Sequence, residues 1–243
     1  FSSSEAIQTI KVIKRNLNNI ASDNSTGSVL NQQDIALPSF KCKKYYRINQ
    51  IVFFIEYETP EIEYLVHPKF AHLEIPGNVE AKHHFQLFFF NSEIVLFVNG
   101  KTIGSWKKEL EHFMTGKVSM EILQKIYGNE ENDWMAVFHA AGISNGKESI
   151  LFLGDSGNGK STLSAILLAS GYDVLADDFL PIESKTLEIC SFPAAISVKK
   201  HAIDLLTPNF PELKNANEYS YPLFNKKVRY LSNPKSTVGE PKK

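Results

Sequence analysis

The sequence predicts an α/β (α+β) chain: an N-terminal helix, an antiparallel aromatic-rich β region, and a glycine-loop core built on a mixed sheet. Three observations carry this. Residues 2–20 place Ile7, Ile10, Ile13, Leu17 and Ile20 at steps of three and four, the period of one helix face. Aromatic and β-branched residues crowd Tyr45–Trp106, broken at Thr59-Pro60, Pro76-Gly77 and Asn99-Gly100, as strands and turns require. Finally, the apolar run Ile150–Leu153 leads into a glycine-rich octet and then into a helix-forming run, Thr162–Leu168.

Composition sets the outer limits. With 243 residues, 43% hydrophobic and 22% charged, the chain is long enough for one or two domains with a substantial core. Its 26 basic residues against 27 acidic ones leave a net charge of -1, which supplies no general field for a polyanion, so nucleic acid is not an expected partner. The richest apolar stretch, Phe85–Val98, is interrupted by Gln86, Asn91, Ser92 and Glu93, so no membrane span is expected. The opening Phe-Ser-Ser-Ser-Glu has neither the basic region nor the apolar run of a secretory signal, and the expected location is cytoplasmic. Cys42 and Cys190 stand alone as two free thiols, and the seven His show no transition-metal ligand spacing.

Taken in order, Ser2 and Glu5 fit a capping box at the start of the first helix. Residues 21–40 turn polar and aperiodic and read as a linker, so 1–40 form an N-terminal helix and linker. A β-rich accessory domain follows over 41–130, with consecutive antiparallel strands. Phe85–Phe90 and Ile94–Val98 flank Asn91-Ser92-Glu93 as a hairpin would, and Asn99-Gly100 marks the next tight turn. These runs are apolar on both faces and lack interleaved Lys or Arg, which favours a packed β core over a stacking platform for single-stranded nucleic acid. Residues 117–127 carry helical spacing at Val118, Ile122 and Ile126, with Gly128 as the stop. The last domain covers 131–243. There Met135–Ser144 and Ser149–Leu153 read as a hairpin joined by Asn145–Glu148, and the tail from about 232 reads as disordered.

The octet is the chemically informative segment. Gly154-Asp155-Ser156-Gly157-Asn158-Gly159-Lys160-Ser161 matches GxxxxGK[ST], and Thr162 opens the helical run. Glycines let successive N–H groups turn inward, and the following helix adds its unpaired N-terminal donors, so such a loop wraps a polyphosphate. Lys160 is placed to reach the β- and γ-phosphates of ATP, and Ser161 to ligate Mg²⁺. Beyond Gly171 a short strand, Tyr172–Ala176, ends in Asp177-Asp178. Strand ends in open α/β sheets face ligands, so the two carboxylates are expected at the phosphates, one on Mg²⁺ and one accepting a proton. Among the basic residues near the C-terminus, Lys199, Lys200, Lys226, Lys227 and Arg229 are candidates to neutralise phosphoryl oxygens, Arg229 first.

The order His139-Ala-Ala, a glycine-containing turn, an apolar strand, GDSGNGKST, a helix ended by Gly171, and Val174-Leu-Ala-Asp-Asp178 resembles the catalytic core of the HPr kinase/phosphorylase family. That family shares its nucleotide fold with phosphoenolpyruvate carboxykinase. Covering about residues 134–200, the resemblance implies an ATP- and Mg²⁺-dependent kinase that phosphorylates a serine hydroxyl of a protein or peptide. It implies that Gly154 to Thr162 hold the triphosphate, that Ser161 and Asp178 serve Mg²⁺, that Asp177 is the base, and that His139 lies near the phosphates. A packed strand position is the other reading of His139. Ile189–Lys200 lacks the glycines and the glutamate that the family carries after its aspartates, so HPr as acceptor and the reverse reaction do not carry over. A small-metabolite kinase and an ATP-gated binding module stay open as alternatives, as does self-association into a homo-oligomer.

Overall fold

The computed structural model describes residues 35–77 and 79–233, and within them the chain is a mixed α/β protein. The expected helix over 2–20 and most of the linker and tail lie outside the described residues. No helix of the described part is long and apolar enough to cross a membrane.

The aromatic region forms a six-stranded sheet from β1 (Cys42–Ile48), β2 (Ile51–Tyr57), β3 (Glu74–Ile75), β4 (His83–Phe90), β5 (Glu93–Val98) and β6 (Lys101–Lys107), in the order β3-β1-β2-β4-β5-β6. It is not the run of antiparallel strands the sequence suggested, because β2 and β4 pair in parallel. Between them Thr59-Pro60 starts a helix, α1 (Pro60–Phe70), instead of merely breaking a strand. The Thr59 hydroxyl accepts from the Ile62 N–H and proline occupies the first turn, where its missing N–H costs nothing. Ile62, Val66 and Phe70, four apart, bury one face, and the helix carries the chain back over the sheet as a parallel pairing requires. The two hairpin turns are as expected: Asn91, Ser92, Asn99 and Gly100 all take positive φ, the geometry of two-residue turns that match strand twist.

Helix α2 (Glu111–Tyr127) begins six residues before the expected start and ends at Gly128, whose φ of 69° forms the left-handed cap. It packs with α1 on the sheet. The resulting core joins Phe53, Ile55, Tyr57, Phe85, Leu87 and Trp106 to Trp134, Ala176, Leu180 and Phe192, so it runs on past position 130 into the last third of the chain. On the other sheet face Ile35 and Phe40 pack against Phe88, Val95 and Phe97.

Beyond α2 the elements are short: β7 (Trp134–Phe138), β8 (Ala141–Ser144), β9 (Ser149–Phe152), α3 (Lys160–Ala169), β10 (Asp173–Ala176), β11 (Leu180–Glu183), β12 (Ile196–Lys199), α4 (Ile203–Leu206), β13 (Tyr219–Tyr221) and β14 (Lys226–Leu231). The single run expected over 135–144 is two strands, since β7 pairs with β11 and β8 with β9 and β10, the chain bending at His139. Strand β8 lies between β9 and β10 and is antiparallel to both, so β9 and β10 run the same way. Their C-terminal ends, carrying the glycine-rich loop and Asp177, therefore emerge at one edge. A second core under α3 gathers Ile143, Ala165, Val174, Ile196, Val198 and Leu231. Asn233, in the expected tail, is buried and donates through Nδ2 to the Val174 carbonyl at 2.6 Å.

Candidate functional site

Residues 154–159 link β9 to α3 with three glycines at positive φ, Gly154 at 155°, Gly157 at 107° and Gly159 at 83°, and only glycine takes such values in succession without strain. Gly159 caps α3, whose first-turn N–H groups face the loop with the partial positive charge of a helix N-terminus. Lys160 is 8% exposed and curls back into the loop, donating through Nζ to the Gly154 and Asp155 carbonyls at 2.6 and 3.3 Å. The ammonium thus stands where the loop closes, satisfied by carbonyl oxygens that an anion would replace.

Strand β10 delivers Asp177 and Asp178 to the same edge, pointing different ways. Asp177 is 4% exposed; its Oδ2 accepts from the Ser197 N–H at 3.0 Å, while Oδ1 has no hydrogen bond among the described residues. The Ser161 hydroxyl stands near enough to favour the charged form without reaching hydrogen-bond distance. Burial first, and then the neighbouring Asp178 charge, push the Asp177 carboxyl up to about 7. Asp178 sits at φ 67°, a left-handed conformation that aspartate tolerates better than most residues, and turns its carboxylate outward. Its Oδ2 accepts from the Ser197 hydroxyl at 3.3 Å and lies 3.8 Å from Lys226 Nζ; its Oδ1 lies 3.7 Å from His139 Nε2.

One cleft, of about 40 Å³, is lined by Ser156, Gly157 and Gly159 to Thr162 of the loop together with His139, Asp178, Ser197, Lys199, His201 and Lys226; the buried Asp177 does not line it. His139 is not packed in the core: its side chain is 60% exposed in the bend after β7. Lys199 reaches over the loop, donating to the Ser156 hydroxyl at 3.1 Å, and Lys226 donates to the Ser197 hydroxyl at 3.4 Å. The cleft is thus rimmed by lysines from three elements, α3, β12 and β14.

Arg229 is not brought here. It pairs across β14 and β12 with Val198, a residue of the second core, and paired residues point to the same side of a sheet. Lys226, three positions away, takes the opposite face. The Arg229 guanidinium instead holds the Leu213 and Lys214 carbonyls, both at 2.6 Å, so it fastens the chain end of a short helical turn. Lys227 likewise points away and pairs with Glu218 at 3.7 Å.

Three residues at or beside the cleft were not singled out from the sequence: His201 in its wall, Ser197 and Lys69. Ser197 bonds both aspartates, its N–H to one and its hydroxyl to the other, yet nothing in a serine within an apolar run announces that. Lys69, in the last turn of α1, comes from the aromatic half. Its backbone carbonyl accepts from the Ala195 N–H at 2.9 Å, just ahead of β12, and burial followed by the Lys226 charge holds its ammonium below the usual lysine range, against the pull of Asp178.

Ser161 and Asp178 both line the cleft and offer hard oxygen donors, which fits a magnesium ion that keeps part of its shell as water and phosphate oxygen. The described residues hold no cluster of three His, Cys, Asp or Glu side chains able to bind a metal by themselves. No protein-family model matches this chain, and no curated protein or solved structure matches it.

Proposed function

We propose that Gly154 to Thr162 form a phosphate-binding loop on a P-loop, HPr-kinase-like fold. The protein is, on this reading, an ATP-dependent kinase that phosphorylates a serine hydroxyl of a protein or peptide. One observation carries the reading: β9 and β10, running the same way, bring the lysine-bearing glycine loop and an aspartate pair to one edge, where Asp178 lines the cleft and the buried Asp177 keeps an oxygen without a hydrogen bond and a carboxyl raised to about 7.

When ATP enters, the loop opens and Lys160 exchanges its two carbonyl partners for β- and γ-phosphate oxygens, while the first-turn N–H groups of α3 take the remaining charge. Lys199 and Lys226 close on the transferring group from the β12 and β14 side. Ser161 and Asp178 would hold Mg²⁺, whose contribution is to neutralise phosphate charge. The acceptor serine oxygen forms a bond to the γ-phosphorus as the bond from that phosphorus to the β,γ-bridging oxygen breaks. ADP leaves, and the serine proton passes to Asp177, whose pKa of about 7 suits a base at neutral pH. Asp177 and Asp178 share Ser197, and the Asp178 charge adds to burial in raising the Asp177 carboxyl.

The test is transfer from labelled ATP to serine-bearing proteins of a cell extract. Wild type is expected to label an acceptor only with Mg²⁺ present, and Asp177→Asn to lower the rate by roughly 10²–10⁴ while leaving ATP affinity nearly unchanged. Wild-type rates in Asp177→Asn, Asp178→Asn and the double variant would remove the aspartates from the mechanism.

A further inference from the structure

A second cavity, of about 410 Å³, opens between α1, the turn before α2, and β13. One cross-strand pair separates it from the cleft, because Tyr221, which lines the cavity, is registered opposite Lys226, which lines the cleft. Its walls are of two kinds. Tyr64 and Tyr221 contribute rings, since their hydroxyls are engaged elsewhere: Tyr64 accepts from the Ser220 N–H at 2.7 Å, and Tyr221 is bonded to the Tyr230 hydroxyl at 2.9 Å. Leu65 and the 55% exposed Leu223 extend this apolar surface to the mouth.

Three carboxylates, Glu61, Glu109 and Glu111, share the cavity with one cation, Lys108. Lys108 is already committed to Glu61 at 2.5 Å. Glu111 is only 8% exposed, and among the described residues its carboxylate takes neither a hydrogen bond nor an ion pair. Its place in the first turn of α2 gives it the favourable field of a helix N-terminus but no partner. Burial pushes its carboxyl above the usual range even with Lys108 nearby. An anion would meet repulsion here, and a neutral apolar group would leave Glu111 desolvated and unpaired, which is costly. A bare metal ion would need several converging oxygens, and the described residues hold no such cluster. An organic cation satisfies every wall: its charge answers Glu111, its face or head lies against the tyrosine rings, and its alkyl stem lies on Leu65 and Leu223.

We propose that this cavity recognises an alkylammonium or alkylguanidinium group. The claim stands apart from the phosphate-loop reading.

Titration calorimetry of the full chain tests it with three probes at low salt: butylguanidinium, the peptide acetyl-Gly-Arg-Gly-amide, and uncharged valeramide. Both cations are expected to bind saturably and valeramide at least about tenfold more weakly, the size of a lost charge contact. The tighter of the two cations identifies the source, a chain-borne basic side chain or a free amine. Glu111→Gln is expected to weaken cation binding at least about tenfold and exposed Glu109→Gln by less, whereas Lys160→Ala leaves it unchanged. Leu223→Lys, at the exposed rim, places an ammonium of its own at the mouth and should exclude the probes, which keeps the test decisive if Glu111→Gln does not fold. The proposal is overturned if neither cation binds, if valeramide binds as tightly, or if Glu111→Gln and Leu223→Lys, both folded, leave the affinity as in wild type.

Discussion

The aromatic sheet and the glycine-loop edge belong to one molecule but spend buried space differently. Under the sheet, Phe53, Ile55, Tyr57, Phe85 and Leu87 are buried in one apolar cluster with residues of α1 and α2. At the loop edge the strands have three to six residues, and buried positions go to Lys160, Ser164, Asp177 and Ser197. There a carboxylate keeps an oxygen without a hydrogen bond and its neighbour sits in left-handed backbone. Such features cost stability wherever they occur, and here the two stand on adjacent residues where the proposed chemistry lies. The shared core shows how the cost is carried: Trp134, Ala176, Leu180 and Phe192 anchor the loop region to the aromatic sheet.

That contrast is most easily broken from the sheet side. Phe85→Ala removes a fully buried β4 ring packed against Phe53 of β2, and should cost about 3–5 kcal/mol, read as a lowered denaturation midpoint. A far smaller loss would mean that the sheet is not the stability reservoir.

At the loop edge a substitution should instead stabilise, and with a defined pH dependence. Because the Asp177 carboxyl is raised from its unfolded value near 3.8 to about 7, the folded chain holds a proton that the unfolded chain releases. Stability from this group is therefore present at low pH and falls as pH rises from about 4 to about 7. Asp177→Asn should melt above wild type at pH 8 and near it at pH 4. Added Mg²⁺, competing with that proton, should stabilise wild type more at pH 8 than at pH 5. Equal melting curves at both pH values would show that the aspartate carries no such strain.

How much of this was legible beforehand differs between the two regions for a physical reason. Features fixed by local backbone chemistry were readable: the Asn91-Ser92 and Asn99-Gly100 turns, the Gly128 cap, and the strand, glycine loop and helix around Lys160. Helix α1 was missed although Thr59, Pro60 and the spacing of Ile62, Val66 and Phe70 encode it, because the surrounding aromatic density favoured strands. The sequence ranks Arg229 ahead of Lys226, yet the register of β14 against β12, which no local pattern reveals, turns Lys226 and not Arg229 to the cleft. Ser197 and Lys69 arrive at the aspartates only through tertiary packing.

A smaller effect sharpens the same comparison. Gly128→Ala puts a Cβ on a residue at φ 69° with no neighbour within 4 Å, so the cost is backbone strain alone, about 1 kcal/mol. Global stability should fall by that amount while ATP binding at the loop stays as in wild type.

Direct titration of the protein with ATP, with and without Mg²⁺, tests the central claim most closely. Wild type is expected to bind one nucleotide per chain, more tightly with Mg²⁺, and Lys160→Ala to lose most of that affinity while keeping the wild-type fold by circular dichroism. Absence of saturable binding at millimolar Mg·ATP, or binding that Lys160→Ala leaves unchanged, would contradict the reading of Gly154 to Thr162 as a phosphate loop.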